Sequence, residues 1–169
     1  MEDKLKGSFV GLFVGDALGT TLEFKEFGTV PRITDIVGGG VFKLNPGEWT
    51  DDGSAAMCLA ESLIEQNGLN KTDIMRKFAR WFLYCENSSN GRVFDVGGTM
   101  MKYIQRFIDK KGLYEDADND SMESGNGSLM RLSPALIFYH RDRGKAKLAT
   151  WEQGQPTHCT SECFRAMET

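Results

Sequence analysis

Apolar residues recur at three- and four-residue spacing through most of the chain, and this period is typical of helices with one buried face. The first such segment runs from Lys4 to Leu18, with an apolar stripe formed by Leu5, Phe9, Leu12, Phe13 and Ala17. Three glycines, Gly7, Gly11 and Gly15, recur at four-residue spacing along the same segment. They predict a flat track on which another helix can approach closely.

Several further segments share the helical period. After Asp52 the predicted inward positions are Ala56, Leu59, Ala60, Leu63 and Ile64, and in the helix from Thr72 to Cys85 they are Ile74, Phe78, Trp81, Phe82 and Cys85. Shorter helices are expected near Met100 to Ile108, Ala135 to Tyr139, Ala146 to Trp151 and from Ser161 onward. Because no strand alternation and no internal repeat is visible, the sequence predicts an all-α, multi-helix bundle with long loops on one side.

Two long segments lack this period. Between Lys25 and Trp49 the chain is interrupted by Gly38-Gly39-Gly40 and Pro46-Gly47, and such a long irregular connection predicts a loop that lines or covers a pocket. The triple glycine lacks the preceding strand and following Lys-Ser/Thr of a phosphate-binding P-loop, so it is interpreted as a turn. Residues 109–124 are polar and acidic and are predicted to form a mobile loop.

Composition narrows the class of protein. A chain of 169 residues with 40% hydrophobic and 26% charged residues is typical of one soluble globular unit, which excludes disordered and membrane-spanning classes. The net charge of -4 argues against general affinity for nucleic acid, although Arg131 with nearby backbone amides could meet a phosphate. The acidic start, Met1-Glu2-Asp3-Lys4, is unlike a signal peptide and predicts a cytoplasmic protein.

The cysteines do not indicate a zinc site. Cys58 and Cys85 lie in apolar helical contexts and are interpreted as small buried hydrophobes. His158, Cys159 and Cys163 would supply three soft ligands, but no second pair completes a tetrahedral set. The favoured interpretation is an exposed tail with incidental thiols.

Candidate metal ligands lie in the segment Glu48-Trp49-Thr50-Asp51-Asp52-Gly53-Ser54, immediately before a run of apolar residues with helical spacing. Two carboxylates and a hydroxyl at the point where a loop becomes a helix can direct their oxygens toward one hard cation such as Mg²⁺. The alternative is a well-capped helix, with Thr50 or Asp51 as its cap and acidic residues favoured by the helix dipole. Considered alone, the segment favours capping.

Three other acids have ambiguous roles. Asp16, just before Gly19, is predicted to be a buried acceptor that holds a neighbouring loop rather than a catalytic group. Glu23 is a lone acid between apolar neighbours and could be a simple surface residue. Asp95 lies among apolar residues just before a helix, so it is either a cap or a group kept for chemistry, with capping favoured.

A glycine-rich turn, Gly125-Asn126-Gly127-Ser128, leads into the helix that follows Pro134. Small residues let a ligand approach the backbone, and free amides near a helix start attract anionic oxygens. This turn is therefore a candidate site for a diphosphate. A tight turn without a ligand is the alternative.

Five segments, taken in order and approximate spacing, resemble the ADP-ribosylglycohydrolase family: Gly15–Gly19 with Glu23, Trp49–Ser54, Gly91–Gly97, Gly125–Arg131 and Thr157-His158. The resemblance implies an all-helical fold in which residues 1–169 are the N-terminal portion of a single domain, expected to stop before its C-terminal half. In the family, two Mg²⁺ ions, with Mn²⁺ as a possible substitute, lie between an N-terminal Thr-Asp-Asp with an upstream Glu and a C-terminal Asp-x-Asp-Thr. The second motif is absent from this sequence.

The resemblance also implies roles for individual residues. The implied metal ligands are Glu23, Thr50, Asp51 and Asp52, and the implied catalytic residues are Glu23, Asp51, Asp52 and Asp95. The implied substrate-binding residues are Phe94, Gly97, Asn126, Gly127, Ser128, Met130 and His158. One departure lies at Gly53, where many members carry Thr or Ser, and its loss of a hydroxyl is expected to alter only the surroundings of the metal.

The implied reaction is magnesium-dependent hydrolysis of the glycosidic bond that links ADP-ribose to a protein side chain or another acceptor, with release of ADP-ribose. The implied partners are an ADP-ribosylated protein or small molecule, and a second chain that supplies the missing half. Alternatives from other classes are a catalytically incomplete ADP-ribose-binding fragment, half of a split enzyme, and an interaction module that uses an uncovered helix face. The sequence does not identify the acceptor.

Overall fold

A computed structural model describes residues 1–30 and 32–168. In these ranges the α-helices are α1 (Glu2–Gly19), α2 (Asp51–Glu65), α3 (Lys71–Tyr84), α4 (Gly98–Asp109), α5 (Ser133–Phe138), α6 (Arg143–Gly154) and α7 (Ser161–Glu168). Short 3-10 turns occupy Thr20–Leu22 and Ser121–Glu123. The predicted all-α class is confirmed, since the only extended pairing in the described ranges is one bridge between Gly39 and Leu44.

Helix α2 lies at the centre of the fold and packs against α1, α3 and α5. Its buried face includes Ala56, Leu59 and Leu63, as predicted, but Ile64 is 73% exposed. From α3, Ile74, Phe78 and Trp81 complete the same core, as their spacing predicted. Each large apolar side chain removed from water stabilises the fold by about 1.5–3 kcal/mol, so this α2–α3 core is the main source of stability.

Arg131 is buried in this core, and the expectation that it could meet a phosphate is wrong. Its guanidinium donates to the Gln153 side chain at 2.9 Å, to the Gln153 carbonyl at 2.8 Å and to the Thr157 hydroxyl at 2.9 Å. It also stacks 4.8 Å from the centre of the Phe78 ring. Burial lowers the pKa of Arg131 to about 9, which leaves it charged at neutral pH. Arg131 therefore joins the glycine-rich turn to the C-terminal segment.

The C-terminal residues pack onto the fold, so the interpretation as an exposed tail is wrong. His158 and Cys163 are both buried, and Met167 of α7 contacts the core. Gln153 helps to hold this region, because its side-chain amide donates to the Ser128 carbonyl at 2.8 Å. The four cysteines are free thiols, with Cys58 buried as predicted but Cys85 only half-buried at the end of α3.

Residues 109–124, which were predicted to form a mobile loop, contact α4 and the end of α6, and their mobility stays a prediction. Arg106 of α4 forms ion pairs with Glu115 at 2.5 Å and Asp118 at 3.2 Å. The backbone N–H of Ala117, a buried residue, donates to the Gln155 carbonyl at 2.8 Å. Surface ion pairs are individually weak, so the buried backbone bond contributes most of the tethering.

None of the helices within the described ranges combines the length and the apolar character that a membrane crossing requires.

Candidate functional site

The carboxylate of Asp16, near the end of α1, organises the start of α2. It accepts hydrogen bonds from the Thr50 backbone N–H at 3.0 and 3.1 Å, from the Thr50 hydroxyl at 2.9 Å and from the Gly53 backbone N–H at 3.0 Å. The first N–H groups of a helix have no partner within the helix. Asp16 therefore supplies from another helix the cap that a local side chain usually provides, which confirms its predicted role as a structural acceptor.

Thr50 occupies the N-cap position of α2, as predicted, but its side chain makes no capping hydrogen bond. Its hydroxyl donates to Asp16 instead. Thr50 and Asp51 are both buried, whereas Asp52 is half-buried. Capping by Asp16 thus leaves the oxygens of Asp51 and Asp52 without a capping role. The N-cap position of Thr50 and the acids in the first turn are confirmed, although the Thr50 side chain is not the cap.

The departure from the family pattern at Gly53 has a packing cause. A Cβ atom at this position would lie 2.5 Å from the Trp49 ring and 2.9 Å from the Phe13 ring. These two rings pack edge to face with centroids 5.2 Å apart, and the Ser89 hydroxyl donates to the Trp49 carbonyl at 2.7 Å. The aromatic pair therefore excludes a larger residue at position 53 and fixes the approach of the loop to α2.

Five carboxylates influence one another in front of α2. Burial raises the pKa of Asp51 to about 8, with further increases from the charges of Asp52, Asp95 and Asp16. Burial likewise raises the pKa of Asp52 to about 6, assisted by the charges of Asp16 and Glu23. These shifts mean that the protein disfavours the ionised carboxylates when nothing compensates their charge.

Asp95 belongs to this acidic group, and its predicted capping role is wrong. The N-cap of α4 is Gly97, which receives no side-chain cap. Burial raises the pKa of Asp95, and the charge of Glu23 and a hydrogen bond between the two side chains raise it further. Asp95 also has a φ of 60°, a conformation that Asp tolerates better than most residues. Glu23 and Asp95 therefore form a second acidic pair beside Asp51 and Asp52.

No Lys, Arg or His of residues 1–30 and 32–168 forms an ion pair with these acids. The same residues contain no group of three acidic, His or Cys side chains in an arrangement that could hold a metal ion. The donor chemistry still fits a hard cation, because carboxylates and a hydroxyl lie close together and no basic side chain compensates the negative charge of the carboxylates. The metal site accordingly stays a prediction.

Two cavities flank the Asp51-Asp52 pair. One, of about 110 Å³, is lined by Asp51, Gly97, Gly98, Thr99, Met100, Gly125, Asn126, Gly127, Met130 and His158. The other, of about 340 Å³, is lined by Gly15, Asp16, Gly19, Thr20, Leu22, Glu23, Thr50, Asp52 and Asn126. Asn126 lines both cavities, so the glycine-rich turn and the acidic residues form one continuous region.

Most of the predicted substrate-binding residues meet in the smaller cavity, but two do not line either one. Phe94 packs against Phe42 with ring centroids 5.2 Å apart, and Arg92 lies 5.9 Å from the Phe94 ring. Ser128 is buried and borders a separate hollow beside α7. Thr99, Met100 and Gly98 line the smaller cavity although sequence analysis did not select them. The only feature of the sequence that could have identified them is their position at the start of α4.

His158 lines the smaller cavity, and its imidazole ring is neutral. Burial lowers its pKa to about 3, and the charge of Arg131 contributes in the same direction. Its Nδ1 lies 2.8 Å from the Thr157 hydroxyl. A Cβ atom at Gly127 would come within 2.5 Å of this ring. Glycine is therefore needed at position 127 to leave room for the His158 ring, whether or not a ligand binds.

Comparisons with known proteins agree with the resemblance seen in the sequence. The profile of the family described as ADP-ribosylglycohydrolase matches residues 1–167. The ADP-ribosylarginine hydrolase Tri1 of Serratia proteamaculans is 42% identical over 170 residues, which cover 98% of this chain and 45% of that protein. The ADP-ribosyl-dinitrogen reductase glycohydrolase of Rhodospirillum rubrum is 35% identical over 144 residues, which cover 81% of this chain and 45% of that protein.

A solved structure described as an ADP-ribosylglycohydrolase-related protein complex has a similar fold. It superposes with a TM-score of 0.80 at 34% sequence identity, covering 98% of this chain and 53% of that chain. The chain thus spans about half the length of the proteins it matches, or somewhat less.

The Asp16 cap leads to a first prediction. Asp16→Ala leaves the Thr50 and Gly53 N–H groups without an acceptor, so we expect it to lower the free energy of unfolding by about 1–3 kcal/mol. Asp16→Asn should lose less, because both variants remove the charge but only the alanine removes every acceptor. Urea unfolding measures both, with the exposed Asp3→Ala on the same helix as control. Equal stability of the two Asp16 variants would contradict the capping role.

The Gly127–His158 contact leads to a second prediction. Gly127→Ala should destabilise the protein by about 1–3 kcal/mol, because the added methyl group overlaps the His158 ring. In a His158→Ala background the same change should be nearly neutral, and this coupling is measured by a double-mutant cycle of urea unfolding. Gly98→Ala, at the first residue of α4, where an added Cβ meets no atom within 4 Å, is the control. Additive effects would show that the two residues do not restrain each other.

Proposed function

Because the chain belongs to the ADP-ribosylglycohydrolase family, we propose that it forms one side of an active site that hydrolyses the bond between ADP-ribose and an acceptor. The observation that supports this proposal most strongly is the uncompensated acidic group at the start of α2, which adjoins the cavity beneath the glycine-rich turn. Acids with raised pKa values in a cleft are typical of sites that handle protons or cations.

The diphosphate of ADP-ribose would lie along the glycine-rich turn. Within the described residues, the backbone N–H groups of Asn126 and Gly127 have no hydrogen-bond acceptor, so they are free to donate to anionic oxygens. Met130 and His158 would limit the depth to which the ligand enters, because both line the same cavity. A neutral His158 adds no charge that would hold the product.

Glu23 and Asp95 are proposed to manage the proton of the reaction. The two side chains share a hydrogen bond, and burial together with the charge of Glu23 raises the pKa of Asp95, so the Asp95 carboxyl can hold a proton close to neutral pH. Cleavage of a glycosidic bond needs a group that protonates the leaving atom or activates the attacking water. Glu23 lines the larger cavity together with Thr50 and Asp52, and this position supports the proposed role.

Thr50, Asp51, Asp52 and Glu23 are proposed to hold magnesium, with manganese as a substitute. A divalent ion bound there would compensate the carboxylate charge and polarise the ribose hydroxyls. The chain itself contributes a rigid helix start, because Asp16 and the Trp49 ring fix the backbone from Thr50 to Gly53. The glycosidic acceptor is proposed to be arginine, as in the name of the Serratia relative.

A second candidate function is binding of ADP-ribose without turnover. It is favoured by one observation, since the chain spans 45% of the Serratia and Rhodospirillum relatives. The acidic group and the glycine-rich turn would then bind ADP-ribose without hydrolysing it, even when a further polypeptide is supplied. The two candidates differ in whether hydrolysis appears when that polypeptide is supplied.

Metal binding can be measured on the chain itself. We expect Mg²⁺ or Mn²⁺ to bind weakly in calorimetry, because only some of the oxygen ligands of a paired site are present. The variant Asp51→Asn/Asp52→Asn should give no binding heat, whereas Asp118→Asn/Asp120→Asn, which neutralises two acids of the 109–124 segment, should bind like the wild type. Equal heats from the wild type and the first variant would exclude the Asp51-Asp52 site.

Hydrolysis is tested by release of ADP-ribose from an ADP-ribosylarginine peptide. The chain alone should release negligible product, because incomplete positioning of the reactants forfeits up to about 7–11 kcal/mol of barrier lowering. The chain co-expressed with the portion of the Serratia relative that it does not match should be active, and Asp51→Asn should abolish that activity. Rapid release by the chain alone, lost in Asp51→Asn, would show that the unmatched portion of the Serratia relative is not required.

A further inference from the structure

One ring nitrogen of His158 faces the smaller cavity without a partner. The side chain is only 2% exposed, and its Nδ1 lies 2.8 Å from the Thr157 hydroxyl. The other nitrogen, Nε2, forms no hydrogen bond with any residue that the structure describes. It lies against the glycine-rich turn, because Cβ atoms at Gly125 and Gly127 would be 3.4 and 2.9 Å from it. Whether Nε2 donates or accepts depends on where the ring carries its proton.

The Thr157 hydroxyl beside Nδ1 already accepts a hydrogen bond from Arg131. Nη2 of Arg131 donates to this hydroxyl at 2.9 Å and to the Gln153 carbonyl at 2.8 Å. A guanidinium can only donate, so the Thr157 oxygen is the acceptor. Thr157 and Arg131 are both fully buried, so bulk water does not compete for these groups. The hydroxyl hydrogen of Thr157 therefore remains to be paired.

Only one direction of the hydrogen bond between Thr157 and His158 pairs every group. If Nδ1 carried a proton, it would donate to the Thr157 oxygen, and the hydroxyl hydrogen would have no acceptor among the described residues. A buried donor without an acceptor is destabilising, because it has lost its hydrogen bond to water. If Nδ1 is unprotonated, the hydroxyl donates to it. Burial and the charge of Arg131 lower the pKa of His158 to about 3, so the ring is neutral and its single proton lies on Nε2.

We propose that Arg131 and Thr157 are positioning residues that fix His158 as a neutral donor whose Nε2–H points into the smaller cavity. The cavity thus offers a ligand one uncharged side-chain donor beside the free N–H groups of Asn126 and Gly127. This donor suits an oxygen atom that only accepts, such as a phosphate oxygen. It disfavours a ligand that presents an ammonium or amide N–H at the same point.

The choice of a phosphate oxygen as the acceptor rests on the proposed function, whereas the position of the His158 proton does not. The proton is observed on the chain alone, without ligand or turnover. A chain that carries the proton on Nε2 but does not bind ADP-ribose would contradict the proposed function and support the role of Arg131 and Thr157. A chain that binds ADP-ribose with the proton on Nδ1 would do the reverse.

Nuclear magnetic resonance of the ¹⁵N-labelled chain reports the proton directly, because protonated and unprotonated imidazole nitrogens differ widely in ¹⁵N chemical shift. The chain has two histidines, and the variant His140→Gln identifies the signals of His158. We expect Nε2 to be protonated and Nδ1 to be an unprotonated acceptor. A His158 ring that carries a proton on Nδ1 would overturn the proposal.

Two variants at position 157 test whether the hydroxyl positions the ring. Thr157→Val removes the hydroxyl with little change in size, so we expect it to lose the hydrogen-bonded Nδ1 signal of the wild type. Its affinity for ADP-ribose in calorimetry should fall about threefold to tenfold, the effect of one hydrogen bond that no longer fixes the donor. Thr157→Ser keeps the hydroxyl and should restore both the signal and the affinity.

Thr150→Val is the matched control for the loss of a buried threonine hydroxyl. Thr150 is also buried, but its hydroxyl donates to the Ala146 carbonyl at 2.9 Å and the residue does not line the smaller cavity. We expect this variant to keep the His158 signals and the affinity of the wild type. The proposal would be wrong if Thr157→Val kept them as well, or if Thr150→Val weakened ADP-ribose binding as much as Thr157→Val.

Discussion

The hydrogen bonds from the start of α2 to the Asp16 carboxylate are the constraint on which the candidate site depends. They fix the backbone of Thr50 and Gly53 against α1, and they replace the local cap that would otherwise occupy the side chains at this helix start. Asp51 and Asp52 can then stay close together and partly buried without an ion-pair partner. The cost is a set of carboxylates with raised pKa values, which a bound cation would relieve.

Helix α1 has two different surfaces. The end of α1 carries Asp16 and so determines the geometry of the acidic group, while its outer face carries the glycine track. The geometry of the acidic group therefore depends on the position of α1 as well as on the start of α2.

Local patterns in the sequence were sufficient for the helices and for the position of the acidic pair, because periodicity and helix-start chemistry involve neighbours within a few residues. Features that depend on distant contacts were missed. The partner of Thr50 lies 34 residues away at Asp16, and Asp95 meets Glu23 rather than the start of its own helix. Likewise, the burial of Arg131 depends on Gln153 and Thr157, and the need for glycine at position 127 depends on His158. Resemblance to the family indicated most of the cavity-lining residues, but not why these residues must be small or buried.

The start of α2 and the glycine-rich turn are proposed to form one metal- and nucleotide-binding region. Nuclear magnetic resonance of the ¹⁵N-labelled chain with Mn²⁺ and then ADP-ribose tests it directly, since a paramagnetic ion broadens the signals of nearby amides. The expected result is broadening of the Thr50 to Ser54 amides and that of Asp95, followed by shifts of Asn126 and Gly127 when ADP-ribose is added. Broadening confined to the acidic 109–124 segment, or ADP-ribose shifts that avoid the glycine-rich turn, would contradict it.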